Sequence, residues 1–149
     1  MGLGGQLTSE PASNDAHELS SPLMASHHFI GNGHVSPDLV QSAKTPESLA
    51  RLIAAQVRST GLEVVDHRAV GFDNGGLTLV WVLAESHLVL HHWAEEGFAT
   101  LDLHVCDYQG SNATRATALV EALTAICFAP GTATWNEVHL ETPAAVLSH

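Results

Sequence analysis

The stretch Phe98–Cys106, FATLDLHVC, alternates without a break. Ala99, Leu101, Leu103 and Val105 fall on one side of an extended chain, and Thr100, Asp102, His104 and Cys106 on the other. A period of two is wrong for a helix and right for a strand that packs one face on an apolar layer. The opposite face then gathers an acid, an imidazole and a thiol, so this strand sets both the fold and a place where chemistry can occur.

The flanking segments supply the apolar layer. Thr45-Pro46-Glu47 is a helix start, with an N-cap and a proline in the first turn. Leu49, Leu52, Ile53 and Val57 follow at helical spacing, and Gly61 ends the run. A second helix carries Ala116, Leu119, Val120, Leu123 and Cys127 on one stripe, with Asn112 as its N-cap and Pro130-Gly131 as its stop. Strands are predicted near residues 26–30, over 62–70, and over 133–141. Gly71-Phe72-Asp73-Asn74-Gly75-Gly76 reads as a loop or hairpin turn. Leu77–Leu83 is β-rich and runs on into residues 84–93, which predicts one long central strand. The order is β-α-β-β-β-α-β, an α/β two-layer sandwich with a mostly antiparallel sheet and two helices on one face. Residues 1–24, rich in Gly, Ser, Pro and Asn without a period, read as a disordered tail ahead of a single domain, 25–149.

Charge narrows the partners. Sixteen acidic against five basic residues give a formal net charge of −11. So few cations neutralise few phosphates, which argues against nucleic acid and anionic membrane and suits a cationic small molecule. With no leader and no long apolar run, the expected location is cytoplasmic, and Cys106 and Cys127 are expected as free thiols.

The segment LAESHLVLHHW, residues 83–93, then raises three chemical readings. His87 and His91 have a spacing that pairs metal ligands on a helix. On a strand the same four residues span about 13 Å, too far for one ion, so no metal site is expected. Ser86 lacks the glycines of a nucleophile elbow, which argues against a serine hydrolase. The third reading is that the backbone at Glu85-Ser86 itself reacts.

Glu85-Ser86-His87 followed by His91, Trp93, Glu95 and Cys106 resembles the processing and active-site pattern of the prokaryotic S-adenosylmethionine decarboxylase proenzymes, a pyruvoyl-dependent family. Ser86, His91, Trp93, Glu95 and Cys106 fall at the family's intervals without a gap, and a weaker likeness runs from about Ser26 to about Glu141. The resemblance implies self-cleavage between Glu85 and Ser86 into a β chain, 1–85, and an α chain, 86–149. Ser86 is then the precursor of the covalent pyruvoyl group that forms a Schiff base with substrate. His91 is the processing base, Thr78 the assisting hydroxyl, and Cys106 the proton donor. Trp93 and Phe72 face the adenine, and Glu95 takes the ribose. The implied reaction makes the aminopropyl donor for spermidine synthesis, in a homodimer with its sites near the subunit boundary. The chain departs from the family at Ala94, at His92, at Asp107, where glycine is usual, and at Gly75-Gly76-Leu77-Thr78, where Thr78 replaces a serine. Its loop after His67-Arg68 is also longer. Because these departures cluster near the pocket, ornithine or arginine stands as the alternative substrate. An unprocessed, non-catalytic partner subunit is the alternative class.

Overall fold

The computed structural model describes residues 25–107 and 109–139, so the expected N-terminal tail lies outside the described residues. Along the chain come β1 (Ser26–His34), α1 (Pro37–Ser42), α2 (Pro46–Ser59), β2 (Val64–Gly71), β3 (Leu77–Leu83), β4 (Ser86–Trp93), β5 (Phe98–Cys106), α3 (Ala113–Cys127) and β6 (Thr134–Val138). The strands form a six-stranded sheet in the order β2-β3-β4-β5-β1-β6. Every pairing is antiparallel. The two-layer α/β reading holds, with two differences from the expected order. The long central run is a hairpin, β3 and β4, because Ala84 and Glu85 turn the chain back on itself. A short extra helix, α1, follows β1, with a proline in its first turn.

The alternation of β5 decides which face is buried. Ala99, Leu101, Leu103 and Val105 are almost completely shielded, together with Leu79, Trp81 and Leu83 of β3 and Leu88 and Leu90 of β4. Against them lie Leu49, Ala50, Ile53, Ala54 and Val57 of α2 and Ala116, Leu119, Leu123 and Cys127 of α3. Each fully buried leucine contributes roughly 1.5–3 kcal/mol relative to exposure. α2 begins with a reciprocal cap in which Thr45 and Ser48 satisfy each other's backbone N–H groups. The Trp81 indole N–H donates to the Ala50 carbonyl at 2.9 Å and ties β3 to α2. At the far edge Trp135 donates to the Thr124 hydroxyl at 2.8 Å. Its ring lies over Gly31, where an added Cβ would come within 2.6 Å. Cys127 is buried as expected, and burial pushes its thiol up to about 12.

No described element covers the other face. Its central row runs Val80, Val89, Asp102 and Ile30 across four strands, and Val82 beside it is 46% exposed. The next row brings His87, His104 and His28 side by side. The Asp102 carboxylate accepts from His28 at 2.9 Å and lies 3.3 Å from His87, while the His104 ring stacks on His28. His104 Nε2 and His28 Nδ1 have no hydrogen-bond partner among the described residues.

Burial, then the charges of His28 and His87, hold the His104 pKa below its ordinary value of 6.5, with Asp102 pulling the other way. Well above that value the imidazole is neutral both folded and unfolded and does not affect stability. As pH falls below about 6.5 the unfolded chain takes the proton first, so folding weakens until the pH passes the folded value. Thermal melts from about pH 8 to about pH 5 should therefore show a falling Tm, with a smaller fall in His104→Phe. An equal fall in the variant would contradict this account.

Candidate active site

The β3–β4 hairpin explains the local geometry at Ser86. A two-residue turn, Ala84-Glu85, joins the strands, and Glu85 adopts φ 59. That left-handed conformation costs a non-glycine residue on the order of 1–3 kcal/mol. The strain therefore sits on the residue whose carbonyl forms the bond to Ser86. Ser86 opens β4, and its Oγ accepts the backbone N–H of Cys106 at 2.9 Å. Cys106, at the end of β5 on the uncovered side, is thus next to Ser86, and the structure brings these two candidates together.

Asn112 anchors the chain just beyond Cys106. Its Nδ2 donates to the Cys106 carbonyl at 2.8 Å, and its Oδ1 accepts from Arg115 at 2.9 Å. Asp107 accepts the Asn112 backbone N–H at 2.8 Å and pairs with His27 at 2.8 Å. The bond from the Asn112 backbone is the largest effect and, helped by His27, holds the Asp107 carboxyl below the usual range against the opposing effect of burial. Asn112 does occupy the N-cap position of α3, yet its side chain makes no capping hydrogen bond.

The remaining candidates gather at the other end of the sheet. Thr78 faces His91 across β3 and β4, and its hydroxyl lies 2.9 Å from His91 Nδ1. Phe72, Thr78, His91 and Trp93 line a cleft of about 430 Å³ together with Asp73 and His92. The rings of His91, Trp93 and Phe98 follow one another at centroid separations of 5.9 and 6.0 Å. Burial lowers the His92 pKa, which favours its neutral form. Glu95 is exposed on the β4–β5 turn and is not among the residues lining this cleft.

His91 is not brought to Ser86 within one chain. They lie on the same strand, and five residues of extended chain separate them by about 16 Å. The first end therefore holds Glu85, Ser86 and Cys106; the second holds Phe72, Thr78, His91 and Trp93. Asp73, which brings a carboxylate into the cleft, and Asn112, which grips the Cys106 carbonyl, were not singled out for these roles from sequence. Asp73 was visible only as a turn residue, and the bond of Asn112 joins separate elements. No group of three or more His, Cys, Asp or Glu among the described residues is placed to hold a metal ion. Nor is any described helix long and apolar enough to cross a membrane.

The family model described as S-adenosylmethionine decarboxylase matches residues 27–129. An S-adenosylmethionine decarboxylase proenzyme from Aeropyrum pernix is 30% identical over 79 residues, covering 53% of this chain and 59% of that protein. Its counterpart in Symbiobacterium thermophilum is 48% identical over 48 residues, or 32% of this chain and 36% of the relative. The one in Pyrobaculum arsenaticum is 58% identical over 33 residues, 22% of this chain and 26% of the relative. The matched segments thus span between 26% and 59% of these relatives' lengths. The crystal structure of the adenosylmethionine decarboxylase from Aquifex aeolicus shares the fold, with a TM-score of 0.63 at 20% identity, over 81% of this chain and 98% of that one. With the family model spanning most of the described residues, the chain belongs to the S-adenosylmethionine decarboxylase family.

Proposed function

We propose that this chain is a self-cleaving decarboxylase of S-adenosylmethionine, active as a homodimer whose sites each draw on both copies. The observation that carries this reading is the division of one set of chemical groups between the two ends of one sheet. A two-fold axis crossing the strands at right angles lays the Ser86 end of one sheet over the His91 end of the other. The uncovered face, with Val80, Val82, Val89 and Ile30 on it, is the surface such a partner would bury. The partner's Thr78 and the partner's His91 then stand beside Ser86 and Cys106.

In this reading, self-cleavage uses Glu85 and Ser86 of one copy and the base of the other. Ser86 Oγ bonds to the Glu85 carbonyl carbon as the Glu85–Ser86 C–N bond breaks, and the hydroxyl proton passes to the freed amine. Relief of the left-handed Glu85 conformation favours that step. The partner's His91 has Nδ1 engaged by Thr78, which leaves Nε2 to take the Ser86 Cα proton. Elimination then releases Glu85 as a carboxylate, and water displaces the nitrogen of residue 86 as ammonia. The residues fit a pyruvoyl group at position 86: a serine preceded by a strained carbonyl and held by the backbone donor of Cys106. Such a group supplies an electron sink for loss of CO₂.

The chain's own residues supply the rest. The Cys106 thiol, on the uncovered face beside position 86, delivers a proton to the substrate α-carbon. Phe72 and Trp93, 55% and 44% exposed, offer their ring faces to the adenine and the sulfonium. A sulfonium over an aromatic face gains about 0.5–2 kcal/mol. Asp73 adds a carboxylate to the cleft, in keeping with a net charge of −11. Since Glu95 lies outside the lined cleft, the ribose must extend past Trp93 to reach it. Two unbridged thiols suit a reducing compartment, and cytoplasmic location is part of the proposal.

The test is CO₂ release by the cleaved protein from S-adenosylmethionine, ornithine and arginine, each supplied alone. S-adenosylmethionine should be consumed, and Glu95→Gln should lower kcat/KM about tenfold, the loss of one charge-assisted hydrogen-bond pair. Release from ornithine or arginine alone would overturn the substrate assignment.

A further inference from the structure

The side chain of Asn112 is the least explained polar group near Ser86. Asn112 is only 7% exposed and stands where α3 begins, yet it leaves the helix uncapped. It joins a continuous series instead. Arg115 donates to Asn112 Oδ1 at 2.9 Å, Asn112 Nδ2 donates to the Cys106 carbonyl at 2.8 Å, and the Cys106 N–H donates to Ser86 Oγ at 2.9 Å. Its backbone joins a second series, through Asp107 to His27. Cys106 is therefore gripped on both sides of its Cα, by Ser86 through its N–H and by Asn112 through its carbonyl.

Leu83 and Val105 are buried at this end of the sheet, but the packing around Ser86 is incomplete. A cavity of about 270 Å³ opens here, lined by Glu63, Ala84, Ser86, Gln109, Asn112 and Arg115 among others. Hydrogen bonds are left to fix the position of the Cys106 amide, and that amide selects the rotamer of the Ser86 hydroxyl. A donor on Oγ also leaves the hydroxyl's own proton free to be transferred.

We infer that Asn112 is a positioning residue for self-cleavage, acting through the Cys106 backbone to aim Ser86 Oγ at the Glu85 carbonyl. This rests on the self-cleavage reading above. In the step it serves, the Oγ–carbonyl carbon bond forms, the Glu85–Ser86 C–N bond breaks, and the hydroxyl proton moves to the amine. The precursor becomes an ester with no atom gained or lost. Asp107, where the family usually has glycine, strengthens the same clasp from the backbone of Asn112.

The test follows cleavage of the full chain by denaturing electrophoresis in a cell-free translation chase, with and without hydroxylamine, which captures an ester. Asn112→Asp keeps an acceptor for Arg115 and replaces the donor to Cys106 with a carboxylate oxygen. Trp135→Phe, at the far edge of the sheet, serves as a destabilised control. Asn112→Asp should cleave at least tenfold more slowly than both the unaltered chain and the control, and hydroxylamine should not restore its rate. Slowing no greater than in the control reduces Asn112 to a structural residue and overturns the inference. Full restoration by hydroxylamine places the defect after ester formation and also overturns it. If Asn112→Asp fails to fold, Arg115→Met decides: slowing of threefold or more supports the inference, and an unaltered rate contradicts it. Failure of the unaltered chain to cleave would instead overturn the functional reading itself.

Discussion

The register of β4 against β5, with His87 opposite His104, governs where Ser86, His91 and Cys106 lie relative to one another. It places Ser86 at the end of β5 where the Cys106 amide can meet it, and it carries His91 to the level of Thr100. A slip by one residue would turn the buried leucines of β4 outward and lose both placements. That register is held by Leu88 and Leu90 beneath the helices, so the apolar layer that stabilises the fold also fixes the distance between the two halves of the site.

Because that distance is rigid, a single chain cannot close it. A sheet face that no described element covers, carrying valines and an isoleucine beside a histidine–aspartate cluster, leaves apolar surface in water. A second copy reversing the strand direction answers both problems with one contact. In the proposed dimer it would shelter the apolar row and bring an imidazole to each serine. The histidine row lies between the two ends, where pairing of the sheets would desolvate it further.

Much of this was legible in the sequence because local pattern and tertiary role agreed. The alternation of Phe98–Cys106 named the buried and open faces residue by residue, and Thr45-Pro46 marked the start of α2. The β3–β4 turn was hidden for a physical reason. Neither Ala84 nor Glu85 is a usual turn residue, and Glu85 adopts a conformation that sequence preference speaks against. Strain at the bond proposed to react erases the signal that would announce it. The short α1 has too few residues to display a helical period. The division of the site was hidden differently, since His91 looks close to Ser86 until the strand extends it away. Asn112 was placed correctly at the start of α3, but its bond to Cys106 joins two separate elements and leaves no local trace.

The central claim is that the serine of one copy is served by the histidine of the other, and mixing two inactive chains tests it directly. A Ser86→Ala chain keeps His91 and has nothing to cleave. A His91→Ala chain keeps Ser86 and lacks the base. Made separately, neither should process. Made together, each mixed dimer contains one complete pairing, and the His91→Ala chain alone should split into its two fragments. Cleavage of the His91→Ala chain in the absence of its partner, or no cleavage in mixed dimers verified to have formed, would contradict the account.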